Sequence, residues 1–377
     1  MYQPFIFKLP SVTLDSKTIT NDKDNIEMSS IKPYPLFTLG YHSFLHRTRN
    51  GMDITKKLQT KTEFYYVVNP FENKISNYED DILSSTKTYL KTKNDYSNNF
   101  QKIWEILFVF DITSNNQTIQ IIGSDELEEC VKLFKEKTNK TISKDKFVSN
   151  KEVKNNSCDL IINNYKKTVD DNNYIEQESY QELLETVISI MKNLSDKGNV
   201  ILQIYDTFMI TTLKLIYILQ SCFDEAYIYK PYMSKQSDSE KYLILKNFKL
   251  PKNDIVKGLE SAYKKLDNKK YLIEIFPELV LTKDYLNIFK YNNIRLINNQ
   301  QIMINEIIKY IKENNYFGDK YHIFRDKQIE NTKWWISNFY PPSVNLYEKN
   351  KDELGKLFKG SQEKLNLEYQ KFVELLS

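Results

Sequence analysis

Between Ile119 and Leu245 the chain alternates short apolar runs with segments of helical length, and this alternation constrains the fold more than any other feature. Ile119-Gln-Ile-Ile122, Asp159-Leu-Ile-Ile162, Val200-Ile-Leu-Gln-Ile-Tyr205, Ala226-Tyr-Ile-Tyr229 and Tyr242-Leu-Ile-Leu245 read as strands. Helices are expected between them over Asp125–Lys137, Tyr180–Leu194 and Met209–Cys222. Strands separated by helices of this length predict an α/β layer with a mostly parallel sheet. Just ahead of the first strand, Phe100, Ile103, Trp104, Leu107 and Phe108 recur at helical spacing, which predicts an amphipathic helix over Asn99–Phe110.

The flanks differ. Residues 1–40 are polar with scattered proline and read as an extended arm. The segment up to about residue 90 carries His42-Ser-Phe-Leu-His46 and the aromatic run Phe64–Val68. The polar stretches 138–157 and 163–173 read as surface loops. Beyond Pro251 the strand signal fades, and Asp284–Lys290 and Asn299–Glu313 read as helices. The expected division is therefore an N-terminal extension (1–95), an α/β core (96–250) and a helical C-terminal region (251–377).

Lys and Arg (53) nearly balance Asp and Glu (50), so bulk charge points to no particular partner. Three scattered cysteines suggest a reducing compartment without a disulfide framework or zinc site. The most apolar stretches, Ile103–Ile112 and Phe208–Leu219, are short and interrupted by charge, so no membrane association is expected. A soluble chain in the cytoplasm is the expectation. Only 8 glycines are present, and nucleotide-binding turns depend on glycine.

The block from Gly198 to Lys249 carries Asp206-Thr207, Lys230-Pro231, Ser234 and Ser239-Glu240-Lys241-Tyr242-Leu243 in order. This resembles the FtsJ-like family of RNA 2′-O-methyltransferases, in particular the cap-specific branch of eukaryotes and large DNA viruses. His46-Arg-Thr-Arg-Asn-Gly-Met52 and Gln300…Tyr316-Phe-Gly318…Trp335 resemble the large-DNA-virus members. The resemblance covers 98–249 well and the remainder loosely. It implies a Rossmann-like SAM-methyltransferase sheet with one antiparallel strand. If the viral likeness holds, the location would be host cytoplasm or viral factory.

Methylating a ribose 2′-hydroxyl requires SAM, a group that deprotonates or orients the hydroxyl, and in-line alignment of the two. The family uses a Lys-Asp-Lys-Glu tetrad. Carried over position by position, the resemblance puts these on Lys102, Asn164, Gln203 and Glu240, so two of the four are amides. Gln203 has about the reach of lysine but no titratable amine. Asn164 keeps the shape of aspartate without its charge. Losing a positioned base typically costs about 10²–10⁴-fold in rate, and members of such a unit fail together.

The family's glycine-rich SAM turn corresponds to Gly123-Ser124-Asp125 and the residues after it. Here one glycine remains, and Asp125, Glu126, Glu128 and Glu129 crowd where a SAM carboxylate would sit. The glycine pair of the second turn is replaced by Tyr165-Lys166. The expectation is a methyltransferase-like pseudoenzyme without SAM. It would bind capped mRNA, other RNA, or a protein partner in a viral RNA-processing or translation complex. An active enzyme using SAM and a structural module without RNA are the alternatives.

Other signals are weaker. Tyr205, Asp206 and Phe208 lie where viral relatives place an aromatic for the methylated guanine, and such a cation gains from aromatic faces and a carboxylate. Phe208 reads more readily as a core residue at the start of the next helix. Lys230, Lys235 and Lys241 are candidate phosphate contacts or members of a solvated basic face. His42 and His46 have the i, i+4 spacing of metal ligands without a third partner, which favours packing. Trp334-Trp335 either stacks bases or anchors the C-terminal helices.

Overall fold

The computed structural model describes residues 4–20, 25–40, 42–58, 82–140, 143–149, 152–164, 168–169, 171–251, 253–313 and 318–376. Phe64–Val68, Tyr165-Lys166 and Tyr316 lie outside the described residues. The strands are β1 (Phe5–Lys8), β2 (Ile26–Ser29), β3 (Thr118–Ile122), β4 (Lys146–Val148), β5 (Cys158–Asn163), β6 (Leu194–Ile204), β7 (Phe223–Lys230), β8 (Lys241–Phe248) and β9 (Tyr271–Ile275). The helices are α1 (Lys17–Thr20), α2 (His42–Asn50), α3 (Ile82–Leu90), α4 (Asn98–Phe110), α5 (Glu126–Lys137) and α6 (Ile175–Asn193). They continue with α7 (Ile210–Gln220), α8 (Asn253–Lys264), α9 (Lys283–Lys312), α10 (Gly318–Phe339) and α11 (Val344–Glu374).

Seven strands form one sheet in the order β1-β7-β8-β6-β5-β3-β4. β4, β3, β5 and β6 run parallel; α5 links β3 to β4 and α6 links β5 to β6. β8 lies antiparallel between β6 and β7, which is the single reversal expected within the α/β core. The seventh strand, β1, comes from the N-terminal arm and is also antiparallel, pairing Phe5 with Lys230 and Lys8 with Tyr227. Successive strand side chains point to opposite faces. On β6, Val200, Leu202 and Ile204 enter the core beneath α6, α7, α8 and α9, whereas Ile201 enters the core beneath α4, α5, α10 and α11. Both faces are thus covered, as a mostly parallel sheet requires.

Several elements escaped the sequence reading, each for a physical reason. β4 sits at the sheet edge, too short to show alternation, inside a stretch that reads as loop. β2 and β9 form a separate two-stranded sheet whose partners are far apart in sequence. The two helical stretches beyond Pro251 are one continuous helix, α9, capped by Thr282, whose side chain accepts from Tyr285 N.

Helix α4 is buried nearly all round, so its polar side chains need internal partners. Glu105 finds four. One oxygen accepts from Tyr229 Oη and from Tyr232 N at 2.7 Å; the other accepts from Met233 N at 3.3 Å and Trp335 Nε1 at 2.8 Å. Trp335 is thereby an anchor of the C-terminal helices, 1% exposed, and does not offer a face for base stacking. Trp104 Nε1 donates in turn to the Phe339 carbonyl at 2.8 Å, so α10 is tied to α4 at two points.

Replacing Glu105 with leucine strands two backbone N–H groups, an indole and a phenol. At about 1–3 kcal/mol for each unsatisfied group, Glu105→Leu should lower unfolding free energy by at least about 3 kcal/mol. Trp335→Phe should cost about 1–2 kcal/mol. Urea titration followed by far-UV circular dichroism measures both, and equal losses would contradict the shared-carboxylate anchor.

Candidate functional site

The carboxyl ends of β5 and β6, the start of β8 and one face of α4 converge on a single polar cluster. Lys102 projects from α4, Asn164 follows β5, Gln203 is near the end of β6, and Glu240 precedes β8. All four are less than a tenth exposed. Lys102 Nζ donates to both Glu240 oxygens, at 2.7 and 2.8 Å. Gln203 Nε2 donates to Glu240 Oε1. Tyr242 Oη lies 2.6 Å from Asn164 Oδ1 and 3.1 Å from Glu240 Oε1, and so connects the fourth position to the other three. Four residues spread over 138 positions therefore share one buried network.

The charges within it are settled by pairing. Glu240 is the carboxylate and Lys102 its counter-ion. The Asn164 carbonyl faces the Tyr242 phenol. Two polar atoms of the cluster lack a hydrogen-bond partner: Asn164 Nδ2 and Gln203 Oε1.

The Gly123 turn passes close to this cluster. Gly123 has φ +155°, and a Cβ there would lie 3.4 Å from the Asn164 carbonyl oxygen and 3.2 Å from the Leu127 side chain. The two turns are joined by Asn164 N, which donates to the Ile122 carbonyl at 2.8 Å. The acidic residues after it are occupied locally. Glu126 accepts from Ser97 N at 2.8 Å and from the Ser97 and Ser124 hydroxyls, fastening the start of α5 to the start of α4. Glu128 pairs with Lys132, and Glu129 accepts from Asn94 Nδ2. Asp125 opens α5 without a side-chain cap bond.

The residues read as a cap or phosphate surface are placed differently from that expectation. Phe208 is 3% exposed and packs with Leu45 of α2 and Ile297 of α9, so it is a core side chain and no stacking platform. Asp206 is held by Arg49 in a bidentate pair, both bonds 2.8 Å. Burial would raise the Asp206 carboxyl, yet the guanidinium keeps it below its ordinary value. Lys230 and Lys241 are buried rather than displayed to solvent. Lys230 Nζ donates to the Asp238 and Glu240 carbonyls at 2.8 and 2.7 Å, and Lys241 Nζ donates to the Tyr205 carbonyl. Burial pushes both ammonium groups down to about 8. Lys235 is partly buried, and desolvation lowers it as well. A basic face open to phosphate does not form from these three lysines.

Tyr205 and Asp206 instead help line a recess between α6 and the strand ends. Asn163, Gln203, Glu176 and Thr212 also line it. Glu176 was not singled out from the sequence. It is buried and accepts from Phe208 N at 2.7 Å and Met209 N at 3.1 Å, so it caps the approach to α7. Arg49 and Tyr242 were also missed as site residues, though both lie in segments that carried the resemblance. His42 and His46 stack edge-on with centroids 5.5 Å apart on α2. Burial and the nearby Arg49 lower His46 to about 4. Among the described residues no cluster of three or more His, Cys, Asp or Glu side chains is placed to hold a metal. None of the described helices is long and apolar enough to cross a membrane.

Burial and the neighbouring Asp206 push Glu176 from 4.5 up to about 7. The folded chain holds this proton more tightly than the unfolded one. The associated stability is therefore fully present below about pH 4.5 and is lost as pH rises through about 7. Glutamine cannot ionise. The stability gap between wild type and Glu176→Gln should thus narrow by about 1–3 kcal/mol from about pH 5 to about pH 8. Denaturant unfolding at the two values checks this, and a constant gap refutes it.

Known proteins resemble this chain in the same region. Residues 110–248 match the family model of the FtsJ-like methyltransferases. An uncharacterized protein of Acanthamoeba polyphaga mimivirus is 27% identical over 268 residues, 68% of this chain and 72% of that protein. The cap-specific mRNA (nucleoside-2′-O-)-methyltransferase 2 of Drosophila melanogaster is 30% identical over 102 residues, 26% of this chain and 15% of the relative. The inactive cap-specific mRNA (nucleoside-2′-O-)-methyltransferase 1B of Caenorhabditis briggsae is 25% identical over 182 residues, 44% of this chain. This chain spans only 21% of the latter, so the likeness to the cap enzymes concerns one domain of much longer proteins. Sheet order, motif block and family match fall on the same stretch, and residues 110–248 are similar to the FtsJ-like methyltransferases.

Proposed function

We propose that this chain is a non-catalytic member of the methyltransferase family that binds capped mRNA, in company with an RNA-processing or translation partner. The observation that carries the reading is Gln203. It stands where the resemblance puts the tetrad's second lysine, and its amide is committed to Glu240. An amide has no proton to give or take near neutral pH, so it neither deprotonates a ribose hydroxyl nor answers its titration. Lys102, the one ammonium in the cluster, is engaged by both oxygens of Glu240.

The residues around the Gly123 turn do not fit SAM. Its amino-acid carboxylate needs free backbone N–H groups and small side chains, whereas this turn offers one glycine followed by a run of carboxylates. The electrostatics oppose the cofactor. Capped mRNA as ligand follows from the relatives' names, two of which are cap-specific mRNA methyltransferases and one of these inactive.

Calorimetric titration tests the reading directly. SAM should give no heat at concentrations that saturate active methyltransferases, while an m7G-capped oligoribonucleotide should bind. Asn164→Asp combined with Gln203→Lys should remain inactive in methyl transfer, because the turn after β3 is unchanged. Saturable SAM binding to the wild-type chain would overturn the proposal and favour an active enzyme. Binding of neither ligand would leave a structural module.

A further inference from the structure

We propose that a polar groove between α6 and the turn from α8 to β9, with the tyrosines that lead up to it, carries a single-stranded stretch of RNA. The inference rests on the RNA-binding reading above. It places the strand away from the Lys102–Glu240 cluster, on a surface built mostly from residues outside 110–248.

The N-terminal arm supplies the first ring. Ile31-Lys-Pro-Tyr-Pro35 sets proline on both sides of Tyr34, which restricts Lys32 and Tyr34 to extended backbone. The arm is fastened across the start of α6. Gln177 Nε2 donates to the Pro33 carbonyl at 3.1 Å, and Lys32 Nζ donates to Glu178 Oε1 at 2.6 Å. Tyr34 stands 75% exposed beside Tyr174, with ring centroids 6.4 Å apart. Lys32 Nζ lies 4.7 Å from the Tyr174 centroid and 5.4 Å from that of Tyr271, so three rings and a cation follow one another toward β9. At the other end Tyr174 meets His46 of α2, centroids 5.6 Å apart, near the segment that holds Asp206.

The groove begins at Tyr271. It measures about 250 Å³, far above the ~10–15 Å³ that a single water needs. Gln181, Asn268, Lys269 and Lys270 line it, and among the described residues no aliphatic side chain does. The turn that carries the lysines is preset. The Asp267 side chain accepts from Lys269 N at 3.0 Å, its carbonyl accepts from Lys270 N at 2.9 Å, and Tyr180 Oη donates to the Lys270 carbonyl at 2.9 Å. Both lysines are exposed. Lys32 neutralises Glu178, and Asp267 lies 3.9 Å from Lys270, while Lys269 has no carboxylate partner among the described residues.

This chemistry matches a nucleic-acid strand. Phenol faces stack on any base, ammonium groups meet phosphates, and amides bond base edges. A docked protein segment buries apolar anchors, which the groove lacks. Fixed backbone on both banks lowers the ordering cost of binding.

Fluorescence anisotropy with the full chain compares a capped dinucleotide with a capped oligouridine of about ten nucleotides. The longer RNA should bind at least about tenfold more tightly. Tyr34→Ala should weaken that binding about 5–100-fold. Lys269→Ala combined with Lys270→Ala should flatten its log–log salt dependence by about 1. Neither change should alter dinucleotide binding. Circular dichroism checks the fold of the variants, and the wild-type length comparison stands without them. The track is overturned, and cap recognition left intact, by equal binding of the two RNAs or by wild-type behaviour of both variants. Displacement of the oligouridine by polyglutamate as readily as by unlabelled oligouridine also overturns it, since any polyanion would then serve. Tight binding of the longer RNA alone keeps the track and refutes cap recognition. Failure of both RNAs to bind overturns both readings.

Discussion

Helix α4 is buried on almost every side, and two charged residues one turn apart on it decide what packs around it. Lys102 neutralises Glu240 at the head of β8, and Glu105 gathers four donors from β7, the β7–β8 turn and α10. A buried charge persists only when paired and hydrogen-bonded. The helix cannot rotate or slide without stranding one of these groups. Sheet, polar cluster and C-terminal helices are consequently registered to one another through a single element. The aromatic packing of Trp104 with Phe134 and Tyr340 fills the space between these polar anchors.

On the opposite side of the strand ends, the N-terminal arm and α9 close over the segment after β6. Arg49 neutralises Asp206, Phe208 is enclosed by Leu45 and Ile297, and Asn293 Nδ2 donates to the Leu39 and Thr207 carbonyls. Residues that look like a binding loop in sequence are therefore satisfied intramolecularly. The cost of desolvating Asp206 is met by a bidentate guanidinium, the geometry best matched to a carboxylate. Two recesses flank this segment, one beside α6 and one lined by Asp206, Phe208, Lys230 and Lys241.

The polar cluster combines one ion pair with two amides. Lys102 and Glu240 hold one another, and amides occupy the remaining two positions. An amide preserves size and hydrogen bonding but removes titration, so the surrounding packing tolerates the replacement while acid–base chemistry does not. Shape and charge are thus separable at these two positions.

The α/β pattern, the order of the core strands and the block from Asp206 to Leu243 were legible in the sequence, because periodicity and local motif survive without tertiary information. The convergence of Lys102, Asn164, Gln203 and Glu240 was anticipated through the resemblance, and their bonding pattern depends on distances that no spacing encodes. β1, β4 and the β2–β9 pair were not legible, since short strands gain their identity from partners distant in the chain. Phe208, Lys230 and Lys241 show the same limit from the other direction. Residue type suggested an exposed contact, but burial is decided by what packs above, and here α2, α9 and the strand ends supply that cover. Sequence by itself determined which elements form and which chemical groups are present. Tertiary structure alone decided which groups pair and which are enclosed, because hydrogen bonds and desolvation act between residues that only folding brings together.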